Sequence, residues 1–119
     1  MATARRRVAR SRPAPVRAGF MGLPVRADIG HARAAVLGLP FDCGTDPYRT
    51  GSRFGPAAIR EASRQLNPHH WQSGRDPLAA LRVVDAGDAA VVPGDIAASQ
   101  PAIEAAVAAI AARGAVPIS

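Results

Sequence analysis

Short continuous apolar runs and longer stretches with helical spacing alternate along the chain. The run from Ala34 to Leu39 lacks period-two alternation and is shorter than a typical helix, which favours a strand buried on both faces. Leu81 to Val84 predicts a second buried strand, and Ala115 to Ser119 predicts the beginning of a third. The pattern therefore supplies three strands for a sheet.

The first predicted helix follows a long loop. Gly55 and Pro56 open it, since proline is favourable in a first turn, and Asn67 ends it because the residue before a proline avoids the helical region. One face of this helix carries the residues spaced for burial, which are Ile59, Ala62, Ser63 and Leu66.

The second predicted helix has Ser99 as its N-cap and Pro101 in its first turn. Arg113 lies in the last turn, where it favours the helix dipole, and Gly114 follows as the C′ residue. The buried face is predicted to consist of Ile103, Ala106, Val107 and Ile110. Because strands and helices alternate, the predicted fold class is α/β, with a mainly parallel sheet between helix layers.

The loop between the first strand and the first helix is predicted to have a defined backbone conformation. Pro40 ends the strand, and the glycines and prolines that follow are residues that adopt unusual backbone angles or permit close approach. Its special positions are Gly44, Pro47, Gly51 and Gly55. We expect a shaped loop here.

Composition and charge separate the amino-terminal arm from the rest of the chain. Residues 1–19 contain six arginines and two prolines with no acid, and they predict a disordered tail. A transit peptide, a nucleic-acid patch and a contact with an anionic surface are the alternatives. A plain solvated tail is favoured because the prolines break an amphipathic helix and no aromatic side chain is present to stack on bases.

The remaining residues are close to neutral and form a thin core. Hydrophobic residues make up 48% of the chain but aromatics only 4%, so much of the apolar content is alanine, which buries little area. The single cysteine, Cys43, favours a reducing compartment, and we expect a small loop residue there in preference to a reactive thiol. The expected location is cytoplasmic, and no apolar stretch reaches the length of a membrane span.

Two groups of polar residues are candidates for chemistry. Asp85 and Asp88 follow the second predicted strand, at the end where open α/β sheets bind ligands, and they could serve as acid, base or metal ligand. Turn-forming aspartates that accept backbone hydrogen bonds are the favoured interpretation, because a glycine accompanies them. His69 and His70 are adjacent, a spacing that suits loop residues better than a metal pair.

The segment from Gly38 to Arg60 contains Pro-Phe-Asp, Gly-Thr and the run Arg-Thr-Gly-Ser-Arg-Phe-Gly-Pro-Ala-Ala-Ile-Arg. This pattern resembles the agmatinase branch of the ureohydrolases. The similarity extends back to Phe20-Met-Gly-Leu-Pro24. It also extends forward through Val83-Val-Asp-Ala-Gly-Asp88, Pro93-Gly-Asp-Ile96 and Gly114-Ala-Val-Pro-Ile-Ser119.

The resemblance implies a three-layer α/β/α arginase-like fold, with residues 20–119 as a partial domain that stops at the third strand. It implies a parent enzyme with two manganese ions that hydrolyses the guanidinium group of agmatine or a related compound to urea and an amine. The parent is expected to be a homo-oligomer that binds neither membranes nor nucleic acid. The family's Gly-Gly-Asp-His motif and later metal-ligand motifs are absent here, so we expect an inactive amino-terminal fragment with no catalytic residue and no bound metal.

Five residues of the shaped loop are predicted to lie near the substrate entrance or at a subunit contact. Asp42 is the expected loop anchor, and an ion-paired structural role is an equally good interpretation of Arg53. The full set is Asp42, Thr45, Tyr48, Arg49 and Arg53. The alternative function is a non-catalytic truncated protein that acts, if at all, by associating with a full-length homologue.

Overall fold

A computed structural model describes residues 18–44, 48 and 50–119. The strands are β1 (Ala34–Gly38), β2 (Val84–Asp88) and β3 (Val116–Ile118), and the helices are α1 (Gly55–Ser63), α2 (Pro77–Ala80) and α3 (Ile96–Ala112). Short 3₁₀ turns occupy Phe20–Gly22 and Ser52–Phe54. The predicted tail falls largely in residues 1–17, outside the described part of the chain.

The described strands form one parallel sheet in the order β2-β1-β3. In the central strand, Ala35 lies opposite Val84 on one side and opposite Pro117 on the other. Buried residues of β1 belong to one cluster with Ile110 of α3, so this long helix covers one face of the sheet. The prediction of an α/β fold with a mainly parallel sheet is confirmed.

The second strand begins three residues later than predicted. Residues 77–80, directly before the predicted strand, form the helical turn α2, because Asp76 caps it by accepting from Leu78 N at 2.9 Å and Ala79 N at 3.2 Å. Arg82 then adopts a left-handed φ of 49°, which turns the chain into β2. Asp85 and Asp88 therefore lie within the strand, where the sequence had predicted a turn after it.

The prediction that Ser99 caps the last helix was wrong. Asp95 is the N-cap, since its Oδ1 accepts from Ala98 N at 2.9 Å, and Pro101 lies inside the helix beyond its first turn. The Ser99 hydroxyl is fully buried and holds the preceding loop instead: it accepts from Val92 N and donates to Val92 O, each at 3.0 Å. Asp95 and Ser99 both have side chains that can cap a helix, and Asp95, the earlier of the two, is the cap that the structure shows.

The first helix also departs from its predicted pattern. It ends at Ser63, and turns carry the chain on to Leu66. Ile59 and Leu66 were predicted on the buried face, yet each is 60% exposed, while Ser63 is buried. A charged residue of the same helix, Arg60, reaches the sheet in their place.

The segment from Ala18 to Arg26 lies along the outer side of β2. Val25 bridges Asp85 in the parallel direction, and Arg26 N donates to Asp85 O at 2.8 Å. Gly19, which the sequence had placed in the tail, is buried against the same aspartate. The folded unit therefore includes Ala18 and Gly19, the two residues before the predicted start of the domain at residue 20. No helix in the described ranges is long and apolar enough to cross a membrane.

Candidate functional site

Two loops meet at the carboxyl edge of the sheet, the edge at which open α/β proteins bind their ligands. One follows β1 and runs through residues 39–51, and the other follows β2 and runs through residues 89–95. Gly94 N of the second loop donates to Cys43 Sγ of the first at 3.2 Å. We call this pair the carboxyl-edge loops.

Asp42 ties the beginning of the first loop to its end. Its buried Oδ2 accepts from Arg53 Nε at 2.6 Å and from Gly51 N at 3.3 Å. The hydrogen bond from the Arg53 guanidinium lowers the pKa of the Asp42 carboxyl below its usual value, against the opposing effect of desolvation. The ionised Asp42 carboxylate thus holds the beginning and the end of the loop together.

Of the other predicted entrance residues, Tyr48 is the one that lies in the described part of the chain. Tyr48 is almost wholly exposed, with 94% of its surface accessible. Thr45 and Arg49 lie outside the described residues. The structure thus brings together Asp42 and Arg53 from the predicted set and leaves the tyrosine ring at the surface.

A second carboxylate, Asp85, is fully buried and surrounded by donors. Its Oδ2 accepts from Phe20 N at 2.7 Å and Arg60 Nε at 2.8 Å. Its Oδ1 accepts from Gly87 N at 2.8 Å and Arg60 Nη2 at 2.9 Å. This one side chain therefore joins the amino-terminal segment, helix α1 and strand β2.

Arg60 completes the cluster, which we call the Arg60 hub. Besides the two bonds to Asp85, its Nη1 donates to Asp88 Oδ1 at 2.6 Å and its Nη2 donates to Gly87 O at 3.0 Å. The side chain is 14% exposed. Sequence reasoning missed this role, although Arg60 closes the motif that carried the family resemblance, because its partners lie about 25 residues further along the chain.

Within the hub, the Asp85 carboxylate is ionised and both of its oxygens accept hydrogen bonds. Burial alone would raise its pKa, but hydrogen bonds from Arg60 and from the Phe20 and Gly87 amides outweigh desolvation, so the pKa lies below the usual value. The bond to Asp85 in turn raises the pKa of Arg60. A carboxylate in this state is poorly suited to transfer protons near neutral pH.

The described residues do not fit a manganese site. Within ranges 18–44 and 50–119, together with Tyr48, there is no group of three His, Cys, Asp or Glu side chains placed to hold a metal ion. The two strand aspartates are already bound to a guanidinium. His69 and His70 are exposed, and the His70 Nδ1 lies 2.9 Å from Ser73 Oγ in a local turn.

Replacing Asp42 with alanine is expected to loosen the first carboxyl-edge loop. The Gly51 amide would lose its carboxylate acceptor, so its hydrogen exchange should accelerate by about fivefold to tenfold. Exchange followed by NMR provides the measurement. Asp76→Ala is the matched control, because that aspartate accepts from amides of helix α2; an unchanged Gly51 rate in Asp42→Ala would contradict the assignment.

Stability should fall in acid because of the Arg60 hub. The folded-state pKa of Asp85 is depressed, so its stabilising contribution is fully present above the unfolded pKa of about 3.9 and is lost as the pH falls through the lower folded value. Denaturant midpoints measured between about pH 6 and 2 should decline from about pH 4 downward, and less steeply in Asp85→Asn. An identical decline in both proteins would show that Asp85 does not contribute.

The parallel sheet and the helices that pack on it define an α/β protein. Residues 32–119, more than half of the chain, match the family model described as the Arginase family. The chain belongs to the arginase family.

Named relatives and solved structures agree with this assignment. The chain is 45% identical over 71 residues to an agmatinase of Pyrococcus horikoshii, covering 60% of this chain and 24% of the relative. It is 36% identical over 100 residues to a guanidinopropionase of Pseudomonas aeruginosa, covering 84% of this chain and 31% of the relative. The crystal structure of a hypothetical agmatinase from Burkholderia thailandensis superposes with a TM-score of 0.74 at 34% identity, covering 85% of this chain and 32% of that one.

These matches span only part of each relative. The chain covers between 24% and 32% of the length of these three proteins. The matched structure confirms the arginase-like fold expected from the sequence.

Proposed function

We propose that this chain is the amino-terminal portion of an amidinohydrolase that converts a small guanidino compound to urea and an amine. The reaction adds water across a guanidinium C–N bond, and the amine leaves with a proton. The family match over residues 32–119 supports the proposal, together with relatives named agmatinase and guanidinopropionase. Because those names differ, agmatine and the guanidino acids are all candidates for the substrate.

Within that enzyme, the chain would act as scaffold and be inactive by itself. The observation that carries this role is the saturation of Asp85, whose two oxygens together accept four hydrogen bonds within the fold. Asp88 is likewise bound to Arg60. The two manganese ions implied by the resemblance would be held by residues outside this chain.

The shaped loop would contribute to the substrate entrance or to a subunit contact in a cytoplasmic homo-oligomer. The Asp42–Arg53 pair fixes the base of the loop, and Tyr48, with 94% of its surface exposed, would contribute to the contact with a substrate or a neighbouring subunit. Thr45 and Arg49 are proposed for the same role on the basis of their motif positions alone.

The test uses a fusion that restores the missing part of the fold. The whole 119-residue chain is joined at Ser119 to the part of the Pseudomonas aeruginosa guanidinopropionase that follows the matched segment; we call this protein the fusion. With manganese supplied, the fusion is assayed for urea release from agmatine, guanidinobutyrate and guanidinopropionate. Unmodified guanidinopropionase and the isolated chain are the controls.

We expect urea from at least one compound with the fusion and none above buffer with the isolated chain. A fusion that folds cooperatively yet releases no urea would overturn the enzyme proposal and favour a non-catalytic role by association. Urea release by the isolated chain, scaling with protein through repurification, would contradict the scaffold role.

A further inference from the structure

The outer edge of β2 is covered by an irregular segment of the same chain. Among the described strands, β2 stands at the end of the order β2-β1-β3, so one of its sides has no neighbouring strand. Residues 18–26 lie along that side, and we call them the strap. Val25 bridges Asp85 in the parallel direction, and Arg26 N donates to Asp85 O at 2.8 Å. The strap thus takes the place of a further strand at this edge.

The Arg60 hub occupies polar backbone groups further along the same strand. Gly87 lies two residues after Asp85 in β2. Its N donates to Asp85 Oδ1 at 2.8 Å, and its O accepts from Arg60 Nη2 at 3.0 Å. A strand added to a sheet needs free backbone donors and acceptors of this kind, and the left-handed φ of 82° at Gly87 also interrupts regular pairing. Strap and hub together therefore protect the edge from a further strand.

The strap is attached to the fold at its beginning. Phe20 N donates to Asp85 Oδ2 at 2.7 Å, and Met21 N donates to the buried Ser63 Oγ at 2.8 Å. Gly19 packs so closely that an added Cβ would lie 2.7 Å from Asp85 Cβ. These contacts join the strap to β2 and to helix α1 at the same time.

Little apolar burial supports this attachment. Gly19 is the buried residue of the strap, and Val25 remains exposed. Met21 has a left-handed φ of 49°, a conformation that is unfavourable for a residue with a side chain. Segments held by a few hydrogen bonds open at much lower free energy than the core of a sheet. The strap should therefore open while the sheet stays folded.

We propose that the strap is a releasable cover, and that its opening lets the outer edge of β2 pair with the same edge of a second copy of the chain. A two-fold axis would place the two edges antiparallel, so that each supplies the donors and acceptors that the other lacks. The strap competes with this partner because it belongs to the same molecule and its effective concentration is high. The closed strap thus favours the monomer at this edge.

Gly19→Ala opens the strap in the test. Gly19 has extended backbone angles, φ −83° and ψ −159°, so the added methyl group acts through its contact with Asp85. Hydrogen exchange should accelerate by at least about tenfold at the strap amides that are bound to the fold, those of Phe20, Met21 and Arg26. Gly55→Ala is the matched control, since a Cβ there meets no atom within 4 Å, and it should leave these rates unchanged.

Ser63→Ala opens the strap without a new contact at Asp85. The substitution removes the acceptor of Met21 N, and alanine is favourable in helix α1. Exchange of the Met21 amide should accelerate by about threefold to tenfold, the effect of one lost hydrogen bond. This variant decides the test if Gly19→Ala does not fold.

Association is measured by sedimentation over a series of protein concentrations. The mean mass of Gly19→Ala should approach about twice that of the monomer where the unmodified chain and Gly55→Ala keep a lower value, and Ser63→Ala should lie between them. NMR of a mixture of isotope-labelled and unlabelled Gly19→Ala should detect amide contacts between copies within residues 84–88.

Three results would overturn the proposal. The first is a variant with accelerated strap exchange that associates no more than Gly55→Ala, because the hub alone would then keep the edge closed. The second is equal strap exchange in Gly19→Ala, Ser63→Ala and Gly55→Ala. The third is association of the opened variants through residues other than β2. None of these measurements depends on urea release, so the proposed function and this inference are tested separately.

Discussion

Replacing Arg60 with methionine is expected to destabilise the fold by about 3–5 kcal/mol, the cost of removing one partner from a buried ion pair. Methionine retains much of the aliphatic bulk but none of the five guanidinium donors. Asp85, which has no exposed surface, would keep its amide donors and lose both bonds from the guanidinium. Chemical denaturation measures the change in the free energy of unfolding.

Arg64→Met is the control for this substitution. Arg64 lies one turn further along the chain and pairs with Glu61 at 2.8 Å, but both side chains are more than half exposed. Surface pairs contribute about 0–1 kcal/mol, so this variant should be nearly neutral. Arg60→Met combined with Asp85→Leu should recover part of the loss, because no unpaired charge stays buried. Similar costs for Arg60→Met and Arg64→Met would contradict the structural role of the hub.

Gly38→Ala is expected to be the other strongly destabilising change, at about 1–3 kcal/mol, the range for overpacking a filled interior. A Cβ on Gly38 would clash with Asp88 Oδ1 and approach Pro56 Cβ to 2.9 Å. The aspartate cannot withdraw without disturbing its bond to Arg60. The cost should appear in the denaturant midpoint.

Gly55→Ala provides the opposite expectation in the same experiment. Gly55 opens α1 with φ −55° and ψ −52°, and a Cβ there would meet no atom within 4 Å. Alanine at a compatible helical position stabilises by about 0.4–1 kcal/mol through the unfolded state. A Gly38→Ala protein as stable as Gly55→Ala would show that β1 and the hub are not packed as closely as described.

The hydrophobic pattern was sufficient to predict the sheet but not its boundaries. Continuous apolar runs predicted β1 and β3 closely, and β1 leaves the strongest local signal because it is buried on both faces. The run predicted for the second strand overlaps β2 only at Val84. The start of β2 was misplaced because the Asp76 cap and the left-handed Arg82 depend on backbone geometry that periodicity does not encode. The start of α3 was misplaced because Asp95 and Ser99 have similar capping chemistry.

The site was predictable where its contacts are local. Asp42 and Arg53 are separated by eleven residues of one loop, so an anchor and an ion-paired arginine could both be proposed from the motif. Arg60 and Asp85 are separated by 25 residues, and the Phe20 amide lies 65 residues from Asp85. Nothing in the spacing of single residues specifies such long-range pairing. The entrance role of the loop residues stays a prediction.

The pKa of the Asp85 carboxyl, measured by NMR from its side-chain carbon shift as a function of pH, tests the central claim most directly. A carboxylate that holds the fold together should titrate below the ordinary aspartate value of about 3.9 and remain ionised throughout the neutral range. In Arg60→Met, or in Arg60→Gln if the former does not fold, the pKa should rise because the guanidinium no longer favours the ionised form. A pKa near neutrality in the unmodified chain would contradict the account, because Asp85 would then be suited to acid–base chemistry.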